Sequence, residues 1–278
     1  MKGLLIICFF YASCCLGQDL KPSLTQTDTT QILIKDTVNS ELEVPEVFRK
    51  NIVKMNLSSL AFNNYSFSYE RSVSRKTTVV AGYRFMPETV ASQMFASKKL
   101  INSVIDDEDH EIIDDLDNTF LANTTYTGEI RFYTGEKAGA RGFYVSLYGR
   151  YMNLELAFPY DYTYNSKTYT LPFDGRMTGF GGGLMFGAQW LIAKRVTLDW
   201  YIVGANYGKF NIDLPASVNL STLSEAGKRD LTEELESING EVAGVDVKAT
   251  VTNQGAHLKG NAPFVGIRGA GISLGIAF

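Results

Sequence analysis

Residues 271–278 read GISLGIAF, with Ile272, Leu274, Ile276 and Phe278 apolar and Gly271, Ser273, Gly275 and Ala277 between them all small. Strict alternation of this kind is a strand signature, because successive side chains leave a strand on opposite faces. Its sense is unusual. All the bulk sits on one face, and the other face has almost no volume. Such a strand suits a site where large apolar residues point out of the molecule and small ones leave room in a crowded interior.

The same period recurs upstream. Val53, Met55 and Leu57 alternate with Lys54, Asn56 and Ser58, and Tyr65, Phe67 and Tyr69 with Ser66, Ser68 and Glu70. Val79, Ala81, Tyr83 and Phe85 oppose Thr78, Gly82 and Arg84, while Ile130 and Phe132 oppose Glu129, Arg131 and Tyr133. Phe143, Val145 and Leu147 face away from Tyr144, Ser146, Tyr148 and Arg150. Further on, Phe180, Leu184, Phe186 and Trp190 oppose Gly179, Gly181, Gly183 and Gln189, and Leu198, Trp200 and Ile202 oppose Thr197, Asp199 and Tyr201. With the closing stretch from Phe264 to Phe278 this makes eight strands. A content of 17 Phe, 15 Tyr and 25 Gly among 278 residues fits strands better than helices.

Connection lengths decide the architecture. The links SRK, EKAGARG and AKR at one end are short, and at the other end only the first link, around Asn63 and Asn64, is short. Those at about 87–125, 158–175 and 210–263 are long. Short turns at one end and long loops at the other describe an all-β, eight-stranded antiparallel up-and-down transmembrane β-barrel, its long extracellular loops containing short helices. Both chain ends then fall on the short-turn side, and the last strand must pair with the first near 54–60, because an open sheet edge cannot persist in hydrocarbon. Val265, Ile267 and Arg268 break the parity of the closing strand. A bulge or kink near Gly269 that turns Arg268 inwards is therefore expected.

The residues opposite the apolar face include Lys54, Arg84, Arg131 and Arg150 against Glu70, Glu129 and Asp199. An eight-stranded barrel is just wide enough for side chains to fill. These seven groups are expected to form a paired network in the lumen, where an unpaired charge is costly. A soluble lipocalin-like barrel or sandwich has the same period with the apolar face turned inwards, Trp190 and Trp200 included.

The segment MKGLLIICFFYASCCLG (1–17) has the charged start, apolar run and small residues of a secretory signal peptide. A second reading takes YASC as a lipobox with Cys14 lipidated. Cys8, Cys14 and Cys15 are the chain's three cysteines, so the exported chain carries no disulfide or thiol chemistry. Residues 18–50 form a polar leader, and 51–278 the barrel. No stretch reaches the ~18 consecutive apolar residues of a membrane helix. A net charge of −4 argues against nucleic acid as a partner.

The phrases YSFSYERSVSRKTTVVAGYRFMP, GEIRFYTGEKAGARGFYVSLYGRY and GFGGGLMFGAQWLIAKRVTLDWYIVGANYG resemble those of an outer-membrane β-barrel family of Bacteroidota-type bacteria, a domain of unknown function. The resemblance covers about 51–278. It implies a small Gram-negative outer-membrane barrel whose last strand, through Ile272, Leu274, Ile276 and Phe278, is read by barrel-assembly machinery. It implies no activity.

Signals for chemistry are sparse. The acidic run DDEDHEIIDDLD (106–117) offers carboxylates to a hard cation but lacks the spacing of a calcium loop, and reads as a solvated acidic loop, with loose bridging through divalent cations to lipopolysaccharide phosphates as the softer form of cation binding. Leu220, Leu223, Leu231 and Leu235 predict a helix in the last long loop, packed on the rim or offered to a partner. His110 and His257, the chain's two histidines, fall in long loops without a recognisable nucleophile motif. Phe186 spoils a G-x-G-x-x-G reading of GFGGGLMFG. The expectation is a protein without catalytic residues, cofactor or metal, in contact with outer-membrane lipid, lipopolysaccharide and an extracellular loop partner. A lipid-modifying enzyme and a small pore are the alternatives.

Overall fold

The computed structural model describes residues 48–60, 63–94 and 116–278. The expected signal peptide, Cys14, most of the leader, His110 and the acidic run up to Asp115 lie outside the described residues. The strands are β1 (Asn51–Asn56), β2 (Tyr65–Ser72), β3 (Thr77–Val90), β4 (Phe120–Tyr133), β5 (Gly142–Tyr164), β6 (Lys167–Ala193), β7 (Val196–Ser217), β8 (Asp246–Thr252), β9 (Gly255–Pro263), β10 (Gly266–Arg268) and β11 (Gly271–Ala277). Among the described residues four helices interrupt them: α1 (Leu57–Leu60), α2 (Ala91–Met94), α3 (Glu225–Glu236) and α4 (Ile238–Glu241).

Consecutive strands from β1 to β7 pair antiparallel. β9, β10 and β11 follow one another along β7 and together act as one strand. β11 also pairs with β1, from Ile52↔Ala277 to Asn56↔Ser273, which closes a ring of eight strands. The GISLGIA stretch is thus the closing strand, with Ile272, Leu274, Ile276 and Phe278 exposed on the outer face. The expected kink is present: the strand breaks at Gly269 and Ala270, Arg268 is buried, and Val265 and Ile267 point outwards. β7 carries the matching irregularity, since Phe186 pairs with Val203 and Gly187 with Tyr201, leaving Ile202 as an extra residue.

Two expected loops are not loops. Residues 158–175 and the start of 210–263 are strand, because β5, β6 and β7 run on for 23, 27 and 22 residues. β5 and β6 meet at a two-residue turn, Asn165 and Ser166, both at positive φ (49° and 62°). That geometry matches the strand twist, and Asn tolerates it well. Pro159 sits beyond the last β4–β5 pair, Phe120↔Ala157, where one edge of β5 is free and a missing N–H is harmless.

The long strands keep their parity but reverse their chemistry. On the outer face of β5, Phe143, Val145, Leu147 and Tyr151 give way to Asn153, Glu155, Pro159 and Asp161. On its inner face, Tyr144, Ser146, Tyr148 and Arg150 give way to Met152, Leu154, Leu156, Phe158 and Tyr160. β6 and β7 switch at the same level, where Asn153 pairs with Thr178 and Thr178 with Asn211. Phe180, 69% exposed, and Tyr207, 74% exposed, are the last outward rings before it. Below the switch the strands are apolar outside and polar inside. Above it they are polar outside and line an apolar core of Leu154, Leu156, Phe158, Leu171, Phe173, Phe210, Ile212 and Leu214.

The upper core is covered by α3. Ser224 caps the helix by accepting from the Gly227 amide, and Leu231 and Leu235 point down with Leu220 and Leu223 from the preceding turn. All four leucines of the expected helix are buried, although Leu220 and Leu223 precede it. A Cβ at Gly227 would stand 2.5 Å from Leu223 and 3.0 Å from Tyr164, so the close approach requires glycine there. The hydroxyl of Tyr162 donates to Asp230 (2.8 Å) and that of Tyr160 to Glu234 (2.5 Å). β8 is the outer edge of the projecting sheet. Asn239 accepts from the Val247 amide and donates to its carbonyl, both at 2.8 Å, and Glu236 accepts from the Ala249 amide at 2.9 Å.

Candidate functional site

The densest polar constellation lies inside the ring, near the end with the short turns. Alternation supplies it: each contributing residue has inward parity on its strand. Lys54 on β1, Glu70 on β2, Arg131 on β4 and Asp199 on β7 are between 0% and 4% exposed. The Lys54 ammonium reaches Glu70 Oε2 at 2.5 Å, Asp199 Oδ2 at 2.6 Å and Gln189 Oε1 at 2.8 Å, which uses all three of its donors. Arg131 holds Asp199 Oδ2 through Nη1 at 2.6 Å and Glu129 Oε2 through Nε at 2.8 Å. Its Nη1 lies 3.8 Å from Glu70.

Neutral side chains complete the carboxylates. Glu70 Oε1 accepts from Thr78 at 2.5 Å and Tyr133 at 2.8 Å, and Asp199 Oδ1 from Tyr144 at 2.8 Å. The Arg131 guanidinium lies 4.4 Å from the centre of the Tyr144 ring, and Arg268 4.5 Å from that of Tyr201. Arg268 Nη1 also approaches Glu129 Oε1 at 3.5 Å. The cluster sets three carboxylates, Glu70, Glu129 and Asp199, against three cations, Lys54, Arg131 and Arg268. It consists of carboxylates already committed to cations and hydroxyls, and its physical effect is to fill and tie together the ring interior.

Five of the seven expected charges, Lys54, Glu70, Glu129, Arg131 and Asp199, meet in this cluster. Arg84 and Arg150 are also inside but further along their strands from the short-turn end than the cluster, with Arg150 5.6 Å from the Tyr148 ring centre. Arg268 joins from the closing strand. Thr78, Tyr133, Tyr144 and Gln189 complete the network, and the sequence assigned none of them a bonding role. All four share the inward parity that found the charges, so the same alternation was the available signal.

Small residues make the space. A Cβ on Gly275 would come within 2.6 Å of both Lys54 Cγ and Thr197 Oγ1. One on Gly271 would meet the Tyr201 hydroxyl, and one on Gly187 the Tyr144 hydroxyl. The glycines of the closing strand are therefore the counterpart of the bulky groups facing them.

His257 lies on the polar outer face of the projecting sheet, its Nε2 2.6 Å from Asp213 Oδ1. That bond, with Lys259 and Arg176 nearby, holds the Asp213 carboxyl below the usual carboxylate range. Among the described residues no serine hydroxyl bonds this imidazole, and no group of three or more metal-ligating side chains converges. Compared with family models, with curated proteins and with solved structures, the chain shows no significant match.

Proposed function

We propose that this chain is an integral outer-membrane β-barrel that serves a structural or surface-interaction role and carries no catalytic centre. The reading rests on one observation, the reversal of both strand faces at the level of Tyr151, Phe180 and Tyr207. From Phe143 to Tyr151 the outer face of β5 is apolar. Nine residues at ~3.4 Å each, tilted by ~40°, give a band roughly 23 Å tall, close to the ~25 Å of outer-membrane barrels. Only hydrocarbon makes such a band favourable outside while charges are buried inside. Above the band the strands obey the rules of a protein in water. The kinship with Bacteroidota-type outer-membrane barrels, export by the signal peptide and recognition of the closing strand by assembly machinery belong to the same proposal.

In this reading the short turns face the periplasm, and the projecting sheet with α3 faces the cell exterior. The interior cluster is a plug rather than a conduit. The polar sheet face is what the cell displays, with lipopolysaccharide at its base.

Cysteine placement tests the reading, because every native cysteine lies in residues 1–17. Leu147→Cys and Leu184→Cys, labelled with an environment-sensitive dye, should emit as in hydrocarbon after reconstitution. Asp161→Cys should react with an impermeant maleimide on intact cells. Emission from Leu147→Cys as in water, or recovery of the protein in the soluble periplasmic fraction, would refute the proposal. Steady single-channel currents would make the ring a pore instead.

A further inference from the structure

The short-turn end of the ring carries a concentrated positive charge that nothing above uses. Arg75 and Lys76 lie in the β2–β3 turn, and Lys137 and Arg141 between β4 and β5. Lys194 and Arg195 form the β6–β7 turn, and Arg49 and Lys50 lead into β1. Among the described residues of these turns and of the lead into β1, Glu136 is the one acidic side chain. The other end is rich in carboxylates, with Glu225, Glu233, Glu234 and Glu236 along α3 alone.

These cations are held together rather than spread apart. Arg49 donates to the carbonyl of Lys194 at 3.1 Å, Lys76 to that of Lys137 at 3.4 Å, and the Gly139 amide to the Arg75 carbonyl at 2.9 Å. Neighbouring turns are thus laced into one collar. Like charges packed so closely repel, and the repulsion is relieved when an anionic surface is apposed. The collar also begins where the apolar band ends. Arg75 lies two residues from exposed Val73, Arg141 two from Phe143 and Lys194 two from Ile192. Chain geometry therefore sets the cations at the depth of phosphate headgroups, well inside the ~8 Å over which charge acts at physiological salt.

We propose that this collar is a binding surface for anionic phospholipid headgroups in the leaflet at the short-turn end, selecting phosphatidylglycerol-like lipids over zwitterionic ones. The inference rests on the membrane-spanning reading. It adds to that reading a lipid class, a leaflet and the residues responsible. Phosphate and carboxylate groups on proteins or glycans present similar charge, but the continuity of collar and band favours lipid.

The test reconstitutes the full chain in phosphatidylcholine vesicles doped with spin-labelled phosphatidylglycerol or spin-labelled phosphatidylcholine. The motionally restricted fraction of each label measures its association with the protein surface. The wild type should favour phosphatidylglycerol by roughly fivefold, the ratio that about one cation contact per headgroup gives. That ratio should fall towards one at 1 M NaCl and in the Arg75→Gln/Lys76→Gln/Lys194→Gln/Arg195→Gln variant. The Lys248→Gln/Lys259→Gln variant, altered at the other end, should keep it. If the fourfold variant does not fold, Lys194→Gln/Arg195→Gln carries the same comparison with a partial loss.

A ratio near one in inserted wild-type protein would overturn the collar while leaving the spanning reading intact. So would selectivity unchanged in both collar variants, or abolished by inorganic phosphate at constant ionic strength, which would mark a site for soluble anions. Absence of a restricted component with either label would overturn both readings.

Discussion

Removing the Lys54 ammonium tests whether the ring interior is a desolvated network. Lys54→Met keeps an unbranched side chain one atom shorter and deletes three charge-assisted hydrogen bonds, to Glu70, Asp199 and Gln189. The loss is not shared equally. Asp199 retains Arg131 at 2.6 Å and Tyr144 at 2.8 Å, whereas the nearest cation left to Glu70 is Arg131 at 3.8 Å. Glu70 becomes a buried carboxylate with two hydroxyl donors and no close cation. Breaking a buried ion pair in this way costs about 3–5 kcal/mol. Adding Glu70→Gln removes the orphaned charge at nearly constant shape, so the double variant should lie only about 1–2 kcal/mol below wild type, the range left when neutral hydrogen bonds are lost. Lys54→Met/Asp199→Asn should recover less, because Asp199 was never left alone. The assay is urea unfolding in lipid vesicles, followed by the fluorescence of Trp190 and Trp200, the chain's two tryptophans. A single-variant cost below about 1 kcal/mol, the range of solvated surface pairs, or simple additivity in the double variant would refute the buried network.

Space in the closing strand gives a second prediction. Gly275→Val drives atoms into Lys54 and Thr197, and should cost more than the about 1–3 kcal/mol of ordinary overpacking, read as loss of the folded band on unboiled gels. A third concerns alkaline pH. Burial, then the hydrogen bonds to Glu234 and Asp230, push the Tyr160 and Tyr162 phenols well above their ordinary value of 10.0. With α3 undocked these phenols would lose protons near 10, while docked they keep them. Docking is therefore at full strength below pH 10 and weakens as pH rises beyond it. Proteolysis within 219–245 should accelerate above pH 10, and less so in Tyr162→Phe. A flat pH profile would contradict this. Fourth, Asn239→Ala uncovers the Val247 amide and carbonyl on β8, so sedimentation should show larger species where the wild type shows one.

The ring itself was legible because each of its strands keeps one sense of alternation, apolar out and polar in. That sense alone identifies the closing strand, places Arg268 inside and puts the seven charges on the inner face. The projecting half was not legible in the same way. From Met152 onwards the inward positions turn apolar, and a reading that follows the apolar face takes Leu154, Leu156 and Phe158 as having slipped by one residue. Pro159, Pro172 and Pro215 then look like breakers, and loops replace strands. The wiring of the cluster was hidden for another reason. Lys54 bonds Asp199 across 145 residues, and that proximity depends on how the ring closes and staggers. Alternation says which residues face inwards. It does not say which of them meet.

The two halves of the sheet also solve the same edge problem by different means. In the membrane-spanning reading an unpaired strand edge in the lower half would have no solvent to bond, and β11 removes it by pairing with both β1 and β7. In the upper half, among the described residues, β8 pairs with a strand on one side only, and its other edge takes no strand. Water could satisfy that edge, but water would also leave it available to a strand from another chain. There the blocking groups are side chains, Asn239 on Val247 and Glu236 on Ala249, held in place by the same helical segment that roofs the upper core. Closure suits a band in hydrocarbon, as proposed, where backbone groups would have no alternative partner, and capping suits the projecting sheet, where the hazard is the wrong partner. The change of strategy at the level where the strand faces reverse is a second, independent sign that the surroundings change there.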